Sequence, residues 1–156
     1  MNYKNDWHKA KQRLTAMWEG EIIDRCCVAV TSPRKGGSYK QEPFPDDPDE
    51  RLKCWTDGEW VLKRYINHFE NTYFGGEAFP QAFVNLGAAG HAGFFRDSCY
   101  KVESTSSLGT LWFFPSIMDW ESDTLEFDPN SLLYRKTIEM ANYMVNESNS
   151  SFFVSM

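Results

Sequence analysis

"SNSSFFVSM" (148–156) is the stretch on which the fold turns. After the polar SNSS turn, Phe152, Phe153 and Val154 read as a buried β-strand, the kind that needs neighbours on both sides. A charge at Phe153 is therefore expected to abolish soluble folding. Just before it, "LEFDPNSLLYRKTIEMANYMVNES" (125–148) predicts a helix over 129–147. Leu133, Thr137, Met140, Ala141 and Met144 line one face of that helix. Asp128 suits its N-cap and Pro129 its first position.

Further back, Trp7, Ala10, Leu14, Met17 and Trp18 recur at helical spacing and predict an amphipathic helix over 4–19, stopped by Gly20. "RCCVAVT" (25–31) reads as a short buried parallel strand. "SPRKGGSYKQEPFPDDPDE" (32–50) is a long loop, with a helical turn expected over 49–55. Thr56 and Glu59 stand in capping-box spacing. Leu62, Tyr65, Ile66, Phe69 and Tyr73 then predict a helix over 57–74, ended by Gly75 and Gly76. "QAFVNLG" (81–87) reads as a second strand, and "AAGHAGFF" (88–95) as a short helix or loop beyond it. "YKVES" (100–104) and "TLWFFPSI" (110–117) flank "STSSLG" as a β-hairpin.

Helix, strand, helix, strand, hairpin, helix, strand: this alternation predicts an α/β fold with a parallel sheet. About three strands are parallel candidates, too few for a closed barrel, which takes eight strands and roughly 250 residues.

Composition narrows the function. The 156 residues suit one domain, and 42% hydrophobic with 24% charged residues is ordinary for a globular chain. Aromatic content is high at 16%, enough ring surface for a large core, an apolar pocket or an interface. A net charge of −6 argues against a nucleic-acid partner. No stretch approaches ~20 apolar residues, so no membrane span is expected. The polar start "MNYKNDWHKAKQRL" has no apolar signal core, so a cytoplasmic location is expected. Cys26, Cys27, Cys54 and Cys99 lack metal-ligand spacing and are expected as free thiols, with no protein-held metal.

Three stretches carry candidate chemistry. In "TSPRKGG" (31–37), just past the first strand, Arg34 offers a planar fork to a carboxylate or phosphate and Lys35 a point charge; a solvated loop is the plainer alternative. "NLGAAGHAG" (85–93) lacks the spacing of a dinucleotide or phosphate loop. Its His91 is either an acid–base group or structural. In "WFFPSIMDWE" (112–121), Trp112 and Trp120 either wall a flat ligand or cover the core. Asp119 is either a proton donor, if buried, or a turn cap.

Together "DRCCVAVTSPR" (24–34), "FGGEAFPQAFVNLGAAGHAGFF" (74–95), "TLWFFPSIMDWESDTLEFDPNSLLYRKTIEMANYMV" (110–145) and "FFVSM" (152–156) resemble the N-terminal region of uroporphyrinogen decarboxylase-like proteins. That group contains uroporphyrinogen decarboxylases and corrinoid-linked methyltransferases. The resemblance implies an incomplete portion of a TIM (β/α)8 barrel: one partial domain over 1–156, with a few parallel strands, an inserted β-hairpin and flanking helices. In it "FFVSM" would be an early barrel strand whose later neighbours are absent. It also implies a lyase or methyltransferase activity on a tetrapyrrole or methyl carrier. A corrinoid would enter as substrate or partner, with no cofactor held by this chain. Arg34 and Lys35 would bind the anionic ligand, although "SPRKGG" carries one arginine where the decarboxylases carry a pair. Asn85 would stand where those enzymes place an aspartate. Trp112, Asp119 and Trp120 would complete the substrate site. The alternative is a non-catalytic binding or assembly module that self-associates, or is completed by a partner, through open strand edges.

Overall fold

The computed structural model describes residues 1–38, 43–103 and 110–156. Residues 39–42 of the expected loop and the "STSSLG" turn at 104–109 lie outside the described residues. Among the described residues the elements run α1 (Trp7–Trp18), β1 (Ala29–Pro33), α2 (Pro48–Thr56), α3 (Gly58–Asn71), β2 (Thr72–Gly76), β3 (Gln81–Phe83), a 3-10 turn (Gly90–Phe94), β4 (Tyr100–Glu103), β5 (Thr110–Phe113), α4 (Leu132–Ser148) and β6 (Phe153–Ser155). The architecture is mixed α/β, with three two-stranded sheets and no closed barrel among the described residues.

Capping chemistry sets the helix starts. Asp47 accepts from the Asp49 and Glu50 backbone N–H groups, and Pro48 follows at the first position, so α2 begins there. Asp57 accepts from the Trp60 N–H and caps α3. The expected Thr56 cap fails because its hydroxyl donates back to the Leu52 carbonyl at 2.8 Å inside α2. At α4 the cap moves three residues on. Asp128 folds its own turn by accepting from the Asn130 N–H, and Ser131 accepts from the Tyr134 N–H instead. Asn149, in the left-handed region at φ 42°, closes α4.

Two expectations about the first strand are corrected. Residues 25–31 were expected to form a buried parallel strand; β1 lies at 29–33, is exposed along its length, and pairs antiparallel with β2. The reason lies in 72–76. These residues do not extend α3 but turn extended, as Thr, Tyr and Phe favour. They pair Ala29 with Gly76 and Pro33 with Thr72. Gly75 and Gly76 are thus strand residues, not helix terminators. Helix α1 is likewise shorter than 4–19. Lys4, buried before it, donates to the Phe74 and Gly76 carbonyls at 3.1 and 2.7 Å and pairs with Asp6.

β3 and β6 run parallel, with Gln81 opposite Phe153 and Phe83 opposite Ser155. Helix α4 precedes β6 and forms the crossover onto this pair, the connection a parallel pair requires. The hairpin β4–β5 is antiparallel, Tyr100 facing Phe113. In the closing segment it is Phe152 that is buried; Phe153 remains 43% exposed. Side chains alternate across a strand, so only one of two adjacent phenylalanines can enter the core.

Phe69 on α3 sits at the centre of that core. Its ring meets those of Tyr3, Tyr65 and Phe152 at 5.5, 5.7 and 5.4 Å. Leu133, Met140 and Met144 from α4, Ala82 from β3 and Val84 just past it join the same cluster. Each large side chain buried there contributes about 1.5–3 kcal/mol. Along 82–86 burial alternates: Ala82, Val84 and Leu86 face the core, Phe83 and Asn85 face out. That alternation positions the site described next.

Candidate functional site

Asn85 lies two residues past the C-terminal end of β3, on the side where open parallel α/β sheets bind ligands. Its side-chain oxygen accepts from the Gly87 N–H at 2.8 Å, which orients the amide and leaves its NH2 group facing outward from that turn. Two cavities meet at Phe83 and Asn85. The larger, about 250 Å³, opens between α2, α3 and β3 and is lined by Trp55, Val61, Arg64, Tyr65, His68, Phe83 and Asn85. The smaller, about 40 Å³, runs toward Gly87, His91, Thr137 and Met156, beside the end of β6.

The larger cavity is built from rings and donors. Helical spacing puts Val61, Arg64, Tyr65 and His68 on one side of α3. Tyr65 donates its hydroxyl to the Phe83 carbonyl at 2.8 Å and ties that wall to β3. The Arg64 guanidinium lies over the Trp60 ring at 4.6 Å, with Phe44 and Trp55 at 5.6 and 5.8 Å, and donates to the Cys54 carbonyl at 3.2 Å. His68 Nδ1 is 3.3 Å from the Thr72 hydroxyl. The Trp55 indole nitrogen is buried and, among the described residues, has no hydrogen-bond partner. No carboxylate lines this cavity among the described residues. Burial pushes the nearby Cys54 thiol above its ordinary pKa, with Arg64 acting the other way, so it stays a protonated packing group rather than a nucleophile.

Of the residues singled out by sequence, Asn85 and His91 reach these cavities. Arg34 does not line them: it donates to the Thr72 carbonyl at 3.2 Å, and its own backbone N–H donates to Asn71 O at 2.7 Å, holding the end of α3. Thr72 links Arg34 to His68, one residue from the cavity wall. Lys35 stands in an exposed turn. Trp112 and Trp120 are 55% and 84% exposed and line neither cavity. Asp119 is exposed and forms a turn. The Glu121 N–H and the Ser122 hydroxyl hold its carboxyl below the usual range, the state of an ionised cap rather than a proton donor.

Trp55, Arg64, His68 and Phe83 were not singled out by sequence. Arg64 and His68 flank the apolar stripe on α3 at i, i+4 spacing, which a solvated helix face shares. Trp55 belongs to α2, whose packing against α3 no local pattern announces. Among the described residues no three His, Cys, Asp or Glu side chains cluster as metal ligands, and no helix is long and apolar enough to cross a membrane.

Compared with known proteins, the chain matches no family model, no curated protein and no solved structure.

Proposed function

We propose that the chain is part of a uroporphyrinogen decarboxylase-like α/β barrel enzyme that binds an anionic ligand at the C-terminal ends of β3 and β6. By the sequence resemblance the ligand would be a tetrapyrrole or methyl carrier, and the chemistry decarboxylation or corrinoid-dependent methyl transfer. The observation that carries the reading is the placement of Asn85: past the end of a parallel strand and in the wall of a cavity. The β3–α4–β6 unit supports it, since parallel strands with a helical crossover are the repeating unit of such barrels. Each strand of the pair keeps one unpaired edge among the described residues, where further parallel strands would add. Titration of uroporphyrin and of a cobalamin into the pure protein, followed by tryptophan fluorescence, tests the reading. Saturable binding weakened by Asn85→Ala is expected. No binding, or binding indifferent to that substitution, would count against it.

A second reading has its own support. Trp18, Ile22, Ile23, Val30 and Tyr73 are all exposed around α1 and the β1–β2 ribbon. A non-catalytic module that self-associates would cover such a surface. Size exclusion with light scattering separates the two: a monomer that still binds ligand favours the enzyme reading, and a concentration-dependent oligomer without ligand binding favours the module.

A further inference from the structure

The β1–β2 ribbon has one closed edge and one open edge. The residues at its ends fix which backbone groups face which way. The Val28 carbonyl accepts from the Glu77 N–H at 3.0 Å, and the Arg34 N–H donates to the Asn71 carbonyl at 2.7 Å. In an antiparallel pair, residues bonded to the partner strand alternate with residues whose backbone groups point away. Val30 and Ser32 therefore bond to Gly75 and Tyr73, while Ala29, Thr31 and Pro33 turn theirs outward. On β2 the outward carbonyls belong to Thr72, Phe74 and Gly76. Side chains take each of them: Arg34 donates to Thr72 at 3.2 Å, and buried Lys4 to Phe74 and Gly76 at 3.1 and 2.7 Å. On β1 no described donor or acceptor reaches the outward groups, and the strand is exposed along its length.

The open edge is self-complementary. It offers N–H groups at Ala29 and Thr31 and carbonyls at Ala29, Thr31 and Pro33, because Pro33 has no N–H. A second β1 laid antiparallel about a two-fold at Thr31 sets Thr31 against Thr31 and Ala29 against Pro33. The paired threonines exchange both bonds, and each Ala29 N–H meets the other copy's Pro33 carbonyl. The side chains agree with this register. Val28, Val30 and Tyr73, which stands across from Ser32, share one face of the ribbon and are 47%, 51% and 58% exposed. The Tyr73 ring leans over Gly75, the residue opposite Val30. The two-fold makes the Val30 side chains of the two copies diagonal neighbours ~7–8 Å apart, so an apolar stripe crosses the join. It also keeps Arg34 and Lys35 of the two copies at opposite ends, where a parallel arrangement would set like charges side by side. A strand edge alone is smaller than the ~800 Å² per partner of a standard interface. Trp18, Ile22 and Ile23, exposed between α1 and β1, add apolar surface beside it. Arg13 holds α1 to that segment, pairing with Asp24 at 2.7 Å and accepting at its carbonyl from the Cys27 thiol at 3.4 Å.

We infer that β1 is where a second copy of this chain docks, edge to edge and antiparallel about Thr31, so that one sheet runs through both copies. The inference rests on the self-association reading above and names its edge and its partner. The ribbon shares no strand with β3–β6 and gives no residue to the cavity beside Asn85, so docking leaves that cavity lined as before.

The test uses the full chain labelled with nitrogen-15, compared at high and low micromolar concentration. Sedimentation equilibrium reads the mass, and hydrogen exchange reads the β1 amides. A monomer–dimer equilibrium is expected. The Ala29 and Thr31 amides should exchange at least tenfold faster in the dilute sample, while Val30 and Ser32 stay protected in both. Val30→Lys brings like charges together across the join and is expected to weaken dimerisation at least tenfold. Thr31→Pro removes the central donor and is expected to do the same. Thermal midpoints in the dilute sample show that the monomer fold is kept; if Thr31→Pro unfolds, Val30→Lys and the exchange pattern decide. A chain that stays monomeric at both concentrations overturns this inference and the self-association reading together. A dimer that keeps its affinity in Val30→Lys, or whose Ala29 and Thr31 amides exchange equally fast in both samples, overturns the β1 edge and leaves self-association standing on another surface. A two-fold contact closes at two copies, so growth beyond the dimer overturns it as well.

Discussion

Arg25 grips Glu77 with two hydrogen bonds, Nη1 to Oε2 at 2.9 Å and Nη2 to Oε1 at 2.7 Å. The carboxylate is only 2% exposed, and two more donors reach it: the Val28 N–H at 2.7 Å and Arg13 Nη1 at 3.3 Å. Arg13 also pairs with Asp24 at 2.7 Å. One buried side chain therefore fastens α1, the segment leading into β1 and the residue after β2. Four donors on one carboxylate satisfy the condition under which a buried charge is tolerated.

Removing that carboxylate should damage the fold more than any surface ion pair would. Glu77→Ala leaves the Val28 N–H and two guanidinium groups without their acceptor, and is expected to cost ~3 kcal/mol, the lower end for a broken buried pair because both arginines keep some access to water. For a chain of this size that corresponds to a fall in the thermal midpoint of about 10 °C. Arg25→Ala should cost less, since Arg13 and the Val28 N–H remain on the carboxylate. Thermal unfolding followed by circular dichroism measures both. Equal, small effects from the two substitutions would show that the cluster is not the fastening described.

Acid should weaken the same fastening. Burial pushes the Glu77 carboxyl up, but the Val28 N–H and the two arginines outweigh it, so its pKa in the fold lies below the ordinary value. Asp24 is lowered mainly by its hydrogen bond from Arg13, and Asp6 by that from Lys4. A carboxyl whose folded pKa is depressed adds stability that is fully present above its unfolded pKa and is lost as the pH falls through the folded one. From these groups the thermal midpoint should be level from about pH 5 to 8 and drop below about pH 4, near the ordinary carboxylate range. Glu77→Gln should start lower and fall less steeply. A midpoint that declines just as steeply in Glu77→Gln would assign the acid response elsewhere.

What the sequence discloses about this fold is what lies within about one turn or one strand. The Met140/Met144 face of α4 was legible because burial follows a period, and the structure buries those residues. The antiparallel pairing of 100–103 with 110–113 was legible from two β-rich runs. The antiparallel β1–β2 ribbon was not, because pairing direction is decided by residues some forty positions apart, and Gly75-Gly76 carries the same local signal in a strand as at a helix end. In the site, Asn85 is singled out only through the family resemblance, inside a strand expected over 81–87; the structure ends that strand at Phe83. Trp55 and Arg64 meet Asn85 through the packing of α2 and α3 on β3, which is tertiary. Asp119 carries the same local signal as a proton donor and as a turn cap; in the fold it is exposed and accepts from the Glu121 N–H and the Ser122 hydroxyl.

The two phenylalanines at the end of the chain should behave differently. Phe152 is buried against Phe69 at 5.4 Å, so Phe152→Asp is expected to abolish soluble folding. Phe153 lies on the opposite face, its ring 5.3 Å from Trp7 and 5.2 Å from Phe79, and its carboxylate replacement can reach water. Phe153→Asp is expected to remain soluble and to lose ~1–2 kcal/mol as two aromatic contacts go. Soluble yield and thermal midpoint of the pair decide it, and the reverse order would mean that β6 is registered one residue out.

Gly76 and Gly20 offer a comparison in which strain and space are separated. Both have positive φ, at 58° and 76°. A side chain in this region costs about 1–2 kcal/mol from backbone strain alone. Around Gly20 a Cβ would meet nothing within 4 Å, so Gly20→Ala should show that strain and little else. At Gly76 the Cβ would run into the Val28 carbonyl oxygen, backbone that cannot rotate away. That carbonyl also accepts from the Glu77 N–H at 3.0 Å, and the Gly76 carbonyl accepts from buried Lys4. Relief of the clash must therefore move the β1–β2 ribbon, the Glu77 cluster and the Lys4 anchor together. Gly76→Ala is expected to cost at least twice what Gly20→Ala costs and to remove the acid-dependent part of the stability that Glu77 supplies. Equal costs in chemical denaturation would mean that the approach of Val28 to Gly76 is loose enough to admit a methyl group.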